Sequence, residues 1–169
     1  MKILRMVPLL GLCILPATCL AQKVRVDFDA RVDFSMFETY KWKEGTRVKN
    51  DLNHQRIVHA VENQLAINGF REVEDEKPDI YIIYHASAKE KLDTSRFGYG
   101  EGGFRSRRAD IHRSLVGTLV VDILDAKDNR LIWRGEASEV VSPQPKKNEK
   151  IIHKAVEKMF KKFPPGRQE

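Results

Sequence analysis

Histidines are the side chains of this sequence best suited to acid–base or metal chemistry, and their spacing supports neither. They occur at positions 54, 59, 85, 112 and 153. His54 and His59 are five residues apart, whereas two histidines that share a metal on one helix face are four apart. His85 lies in an apolar run with no carboxylate nearby, which is typical of a structural histidine with satisfied hydrogen bonds. We therefore predict no metal site and no cofactor.

Serines and carboxylates form no recognisable catalytic pattern. No serine stands in a GxSxG motif, which would present a nucleophile on a sharp turn. Asp125 and Asp128 share a turn-like stretch, but the twelve-residue spacing and final Glu of a calcium loop are missing. Both cysteines, Cys13 and Cys19, lie near the amino terminus, in a segment that we expect to be removed or modified on export. We predict that the protein is not an enzyme.

A segment rich in glycine and arginine is the first candidate binding region. Residues 94–110 have no hydrophobic periodicity and contain several glycines, which predicts a long loop. A phosphate-binding loop needs its glycines between a strand and a helix amino terminus, and here a strand follows instead. The loop is interpreted as a connector or as a lid over a ligand. Its Arg105, Arg107 and Arg108 are candidate contacts for an anionic partner; the plainer interpretation is that they are solvated.

The last predicted helix carries the second candidate region. Lys150, Lys154 and Lys158 recur at four-residue spacing opposite an apolar stripe. Lysines near the carboxyl end of a helix also favour the helix dipole, so a solvated face explains them as well. The alternative is that this face contacts an envelope protein, or docks on anionic headgroups in a peripheral membrane association. Nucleic acid is not an expected partner of an exported protein.

The amino-terminal residues predict export. Two basic residues precede an apolar stretch over residues 6–15, and small residues follow up to Ala21. This is the layout of a secretory signal peptide cut after Ala21. The stretch is shorter than the ~20 residues that span a bilayer. We expect residues 1–21 to be a signal peptide and residues 22–169 to form a single domain in the periplasm or cell envelope.

A lipoprotein leader is the alternative. In that case Cys19 would be acylated and would become the first residue of the mature chain. Lipoprotein leaders place Leu, a small residue and then Gly or Ala before the cysteine, and Pro16 and Thr18 depart from that pattern. The protein would be lipid-anchored through Cys19 only, and one acyl chain anchors weakly.

Hydrophobic patterning predicts seven elements. Strands are expected near residues 24–29, 37–42, 80–86, 115–124 and 131–141. Helices are expected from Leu52, after the N-cap candidates Asn50 and Asp51, to a cap at Gly69, and from Ile152 to Phe163, after a stiff connector over residues 142–145. The small residues Gly135 and Ala137 are expected to let a helix pack closely on the last strand.

The order β-β-α-β-β-β-α is typical of an α+β fold. The simplest architecture has two layers, a mostly antiparallel sheet of about five strands with both amphipathic helices on one face. A crossover through the first helix would make the strands before and after it parallel. The hairpin of the last two strands is expected to keep one face in contact with water.

Five segments, taken together, resemble a known family. In chain order they are VRVDFDARVDFSMFETYKW, RIVHAVENQLAINGF, PDIYIIYHASAKEK, GTLVVDILDAKDNRLIWRGEAS and IIHKAVEKMFKKFPP. They resemble the bacterial envelope family known as domain of unknown function 4136. The resemblance implies an exported α/β domain, often made as a lipoprotein, and it implies no activity, substrate, cofactor or site residue.

The leading functional hypothesis is a non-enzymatic binding or assembly module of the bacterial cell envelope. Two alternatives from other classes stay open. One is an envelope hydrolase or sugar-processing enzyme that uses the Gly-rich loop. The other is a structural protein that lies on a membrane surface through its lysine face. Sequence alone assigns no ligand to any of the three.

Overall fold

The computed structural model of the chain describes residues 23–74, 77–93, 112–161 and 163–165. Along the chain its elements are β1 (Lys23–Phe28), β2 (Thr39–Trp42), α1 (Asp51–Ile67), β3 (Arg71–Glu72), β4 (Ile80–Asp93), β5 (His112–Asp125), β6 (Leu131–Val140) and α2 (Pro145–Phe160). A 3-10 turn at Phe34–Met36 lies between β1 and β2. The seven predicted elements are present, so the α+β class is confirmed.

The strands form one sheet in the order β1-β6-β5-β4-β2-β3. Strands β1, β6, β5 and β4 pair antiparallel, whereas β2 pairs parallel with both β4 and β3. The parallel pairing of β2 with β4 confirms the expected effect of the crossover through α1.

Strand β3 is the one strand of the described chain that the sequence does not predict, because two residues show no periodicity. The N–H of Arg71 donates to the carbonyl oxygen of Glu38 at 2.8 Å, and the N–H of Val73 donates to that of Tyr40 at 2.9 Å. These bonds add β3 to the edge of β2. The sheet therefore has six strands where about five are expected.

Strands β4 and β5 and helix α2 are longer than their sequence patterns. Strand β4 continues beyond the predicted end at residue 86, because polar residues such as Lys89 still pair with β5, here with Val116. Helix α2 begins at Pro145, within the stretch expected to be a stiff connector. Proline is tolerated there because the first residues of a helix need no partner for their N–H groups.

Helix α1 begins and ends at its predicted caps. The side chain of Asn50 accepts the N–H of Asn53 at 3.0 Å. At the other end Gly69 has a φ of 84°, a left-handed conformation that glycine adopts without steric cost. The N–H of Phe70 then donates to the carbonyl oxygen of Leu65 at 3.0 Å, which closes a Schellman cap.

Both helices cover the same face of the sheet, and the core lies between them. Alternate residues of the central strands supply its sheet side: Ile80, Ile82 and Tyr84 of β4 and Leu119, Val121 and Ile123 of β5. The rings of Trp133, Phe160 and Phe163 form an aromatic cluster with centroids 5.0 to 5.4 Å apart. This arrangement confirms the two-layer architecture.

Helix α2 lies directly over β6, as the small residues there predict. A Cβ atom on Gly135 would lie 2.6 Å from Cη2 of Trp133 and 3.0 Å from Sδ of Met159. Contacts this short are not tolerated in a packed core, so the helix can approach only because residue 135 has no side chain. Ala137, on the same face, is also buried.

Candidate functional site

Two histidines hold structural elements together. Nδ1 of His85 accepts the N–H of Thr46 at 3.1 Å, which ties the segment before α1 to β4. His85 is half-buried, and this hydrogen bond fits the structural role predicted for it. His54 stacks on Tyr84, and its Nδ1 lies 2.5 Å from the tyrosine hydroxyl. Both histidines are thus used in packing α1 and its leading segment against β4.

The other chemical groups considered in the sequence form no metal or catalytic cluster among the described residues. His59 and His153 face each other on α1 and α2 with ring centroids 6.4 Å apart, and both are exposed. The carboxylate of Asp125 accepts the N–H of Lys127 at 2.8 Å, as in a simple turn. In the described parts of the chain no group of three or more His, Cys, Asp or Glu residues could hold a metal ion.

An apolar cleft of about 670 Å³ opens between the amino-terminal parts of α1 and α2 and the strands β4, β5 and β6. Its floor contains Ile57, Leu119, Ala137 and Ala155, each less than a tenth exposed. Ligand sites in proteins are typically concave, mostly apolar and roughly 300–1,000 Å³ in volume. This cleft, which we call the helix–sheet cleft, therefore has the size and lining of a binding site.

One wall of the cleft is the segment 43–49, which connects β2 to α1. It runs alongside β4, and the N–H of Ala86 donates to the carbonyl oxygen of Thr46 at 2.9 Å. Gly45 permits this approach, since a Cβ atom there would lie 2.0 Å from the carbonyl oxygen of Tyr84. The backbone contact with β4 holds this wall in place.

Charged groups are unevenly distributed around the cleft. Arg47 and Lys49 belong to the wall 43–49, and Glu139 belongs to β6. Arg47 lies 3.7 Å from Glu44, but both side chains are exposed and such a pair contributes little. Lys49 forms no ion pair with any described residue. The wall 43–49 is therefore the cationic side of the cleft.

Two amide side chains at the cleft form hydrogen bonds with the backbone. Asn50 caps α1 through Asn53. Asn148 accepts the N–H of Ser142 at 2.8 Å and donates to its carbonyl oxygen at 2.7 Å, which fixes the connector before α2. Aliphatic side chains therefore supply most of the surface that a ligand would meet.

Of the residues predicted from the sequence, the structure describes the helix lysines. Lys150, Lys154 and Lys158 are exposed on α2; none lines the cleft, and none forms an ion pair with another described residue. Other predicted contacts and the lipidation site lie outside the described residues: Arg105, Arg107, Arg108 and Cys19. The assignment of an anionic partner to either region stays a prediction.

The cleft is absent from the sequence-based predictions because its lining comes from five distant segments. Ile57 and Leu119 have the pattern of ordinary core residues. The sequence feature that could have indicated the cleft is a set of small residues on facing elements: Ala86, Ala137 and Ala155. Their small side chains leave space between the helices and the sheet. Their proximity is known only once the strands are paired.

The family comparison covers the whole of this fold. The family model described as "Domain of unknown function (DUF4136)" matches residues 24–165. The chain belongs to this family. The DUF4136 match confirms the resemblance seen in the sequence, and the family description names no activity. No curated protein sequence matches the chain significantly.

Several solved structures are similar to this DUF4136 chain at low identity. A PDZ domain protein from Parabacteroides distasonis ATCC 8503 has a TM-score of 0.57 and 19% identity, over 86% of this chain and 36% of that chain. The chain thus spans about a third of that protein's length. A PelC dodecamer from Paraburkholderia phytofirmans has a TM-score of 0.49 and 11% identity, over 82% of this chain and 94% of that chain.

A minor lipoprotein from Acinetobacter baumannii is also similar, with a TM-score of 0.44 and 10% identity over 75% of this chain and 92% of that chain. At such identities the likeness to the Parabacteroides structure shows a common fold and nothing about function. Among the described residues, no helix combines the length and apolar character needed to cross a membrane.

Proposed function

We propose that this DUF4136 protein is a non-enzymatic binding or assembly module of the bacterial cell envelope. The observation that carries the proposal is the helix–sheet cleft, with its volume of about 670 Å³ and its aliphatic floor. Transfer of apolar ligand groups into such a cleft is favourable by about 0.8 kcal/mol per buried methylene. The cleft therefore offers a source of affinity that needs no chemical step.

The lining of the cleft favours binding over turnover. General acid–base catalysis needs a titratable group within reach of the reacting atom, and nucleophilic catalysis needs a nucleophile beside a base. In the described lining, no histidine or cysteine is present, and the single carboxylate is that of Glu139. Its Oε1 accepts the N–H of Val140 at 3.1 Å. Among the described lining residues, no acid–base pair faces the space that a ligand would occupy.

The envelope location is supported by the signal peptide that the sequence predicts over residues 1–21. The intact mass of the protein from fractionated native envelope tests it. A mature chain starting at Gln22 in the periplasmic fraction, or an acylated Cys19 in the membrane fraction, is the expected result. An uncleaved chain in the cytoplasmic fraction would contradict the envelope assignment.

Binding in the cleft is tested with an uncharged dye whose fluorescence rises in apolar surroundings. Ala86 lines the cleft, so A86F places a benzyl group in it. Ala66 is exposed on α1 outside the cleft, so A66F is the matched control. We expect the wild type and A66F to bind the dye and A86F to lose most of the binding while keeping the native circular dichroism spectrum. Unchanged binding by folded A86F would contradict the proposal.

A further inference from the structure

We infer that the helix–sheet cleft binds a single-chain amphiphile with an anionic headgroup, of the fatty-acid type. This inference rests on the proposed binding function and adds the chemical class of the ligand. Three features carry it: the shape of the apolar surface, the kind of side chains that form it, and the one-sided placement of the cations.

The apolar surface is long enough for a hydrocarbon chain. Its lining follows β5 from Leu115 to Leu119 and α2 from Asn148 to Ala155. At about 3.3 Å per strand residue and about 1.5 Å per helical residue, each stretch is roughly 10–13 Å long. An extended hydrocarbon chain on the order of ten carbons has this length, given a C–C bond of about 1.5 Å. The cleft therefore matches one chain lying along the helix–sheet junction.

The lining suits a flexible aliphatic chain better than a ring. Among the described residues of the cleft there is no aromatic side chain. Bases and other planar groups are usually held by stacking on aromatic side chains. The apolar side chains present are aliphatic, among them Val48, Ile57, Leu119 and Ile152. Such side chains bind through dispersion and the exclusion of water, which is how a hydrocarbon chain is held.

The basic side chains of the wall 43–49 favour an anionic headgroup. Arg47 and Lys49 are exposed, and the half-buried Val48 between them packs against the core. The two basic side chains therefore lie at the rim, while the backbone between them joins the apolar wall. An arginine and a lysine at the rim of an apolar cleft form a site for a carboxylate or phosphate, with the guanidinium able to bind it at two points.

The opposite charge lies on the other side of the cleft. Glu139 is on β6, and two strands, β5 and β4, separate it from the wall 43–49. At about 4.8 Å per strand spacing, these groups are roughly 14 Å apart. An anionic headgroup is thus attracted to Arg47 and Lys49 and repelled by Glu139, so it is held on the side of the cleft formed by the wall 43–49. The headgroup of a cationic amphiphile would be repelled by Arg47 and Lys49 at the rim.

The inference is tested with ligands that share a twelve-carbon chain and differ in the headgroup. Dodecanoate, dodecanol and dodecyltrimethylammonium, each below its micelle concentration, compete with the dye for the full-length mature protein. We expect dodecanoate to bind about fivefold to tenfold more tightly than dodecanol, since exposed ion pairs add modestly to affinity. Dodecyltrimethylammonium is expected to bind most weakly. Dodecyl phosphate added to the series shows whether a lysophospholipid-type or a fatty-acid-type anion is preferred.

Matched charge variants locate the headgroup. R47Q/K49Q should bring dodecanoate to the affinity of dodecanol and leave dodecanol unchanged. K154Q/K158Q removes the same charge from exposed positions of α2 outside the cleft and should change neither affinity. Equal binding of dodecanoate and dodecanol, or an unchanged preference in folded R47Q/K49Q, would overturn the inference and leave the binding function standing. Failure of dye and dodecanol alike to bind would instead overturn the proposed function.

Discussion

Arg134 and Asp122 face each other on β6 and β5 and form a two-point ion pair. Nε and Nη2 of Arg134 each lie 2.6 Å from an oxygen of Asp122. The Asp122 side chain is 7% exposed, whereas that of Arg134 is 50% exposed. The hydrogen bond to Asp122 raises the pKa of Arg134 above its ordinary value. The guanidinium of Arg134 thus compensates the charge of a nearly buried carboxylate on the sheet face away from the helices.

Removal of that guanidinium is expected to destabilise the fold. R134A leaves the carboxylate of Asp122 buried without a partner, which costs about 1–3 kcal/mol. R134K is expected to recover part of the loss, because an ammonium cannot reproduce the two-point contact. R71A, at an exposed arginine of β3, serves as the control and should change the free energy of unfolding little. Urea unfolding measures all three, and equal stability of R134A and R71A would contradict the role of the pair.

Asp79 fixes the start of β4 to β2. Its Oδ2 accepts the N–H of Glu38 at 3.0 Å and, from Thr39, the N–H at 2.9 Å and the hydroxyl at 2.7 Å. Burial acts to raise the pKa of Asp79, and these hydrogen bonds outweigh it, so the pKa lies below the usual 3.8. The ionised carboxylate therefore stabilises the parallel edge of the sheet.

The stabilising effect of Asp79 should depend on pH. We expect D79A to lower the free energy of unfolding by about 1–3 kcal/mol at neutral pH. Because the folded pKa is depressed, the contribution of the charge is complete above 3.8 and is lost as the pH falls through the lower folded value. The difference between wild type and D79A should narrow in acid, as measured by urea unfolding across that range. T39V removes the hydroxyl that donates to the Asp79 carboxylate and accepts the N–H of Asp79. It should show a smaller effect than D79A, because both backbone N–H bonds to a carboxylate that is still present remain. A difference between wild type and D79A that does not depend on pH would refute this role of the carboxylate.

The sequence predicts those parts of the fold that local patterns specify. Asn50 and Gly69 mark the ends of α1 because caps depend on neighbours within a few residues. The role of Asp79 is not visible in the sequence, because its partner Thr39 is forty residues away. Strand β3 is not predicted for the same reason, since its two residues form a strand only through their pairing with β2.

The charged candidate residues are predictable from the sequence, whereas the helix–sheet cleft is not. Lysines on α2 and the loop arginines are visible as clusters in the sequence, and the structure describes the lysines as exposed. The helix–sheet cleft depends on how Val48, Leu119 and Ile152 come together from three elements. Their hydrophobic character is readable from the sequence, but the space between them is a property of side-chain volumes in the packed fold.

Close packing of α2 on β6 predicts a penalty for a side chain at residue 135. G135A would force a methyl group toward Trp133 and Met159, and we expect a loss of about 1–3 kcal/mol in the free energy of unfolding. G69A is the comparison: nothing lies within 4 Å of its Cβ position, so only the left-handed φ is penalised, by about 1–2 kcal/mol. The double variant G135A/M159A tests whether steric contact with Met159 causes the loss in G135A. Its loss should be less than the sum of the single losses, and strict additivity would contradict the steric explanation.

The exposed lysines of α2 are predicted to contact an anionic envelope component. We expect the mature protein to bind vesicles containing phosphatidylglycerol more strongly than vesicles of phosphatidylcholine, because each lysine near an anionic surface contributes up to about 1 kcal/mol. Sedimentation with the vesicles should show binding that weakens as salt is raised, since salt screens exposed charges. The variant K150Q/K154Q/K158Q should lose most of it, whereas R47Q/K49Q, which changes the rim of the cleft, should keep it. Equal sedimentation of the triple variant and the wild type would show that these lysines are only a solvated face, and the search for the anionic partner would then move to Arg105, Arg107 and Arg108.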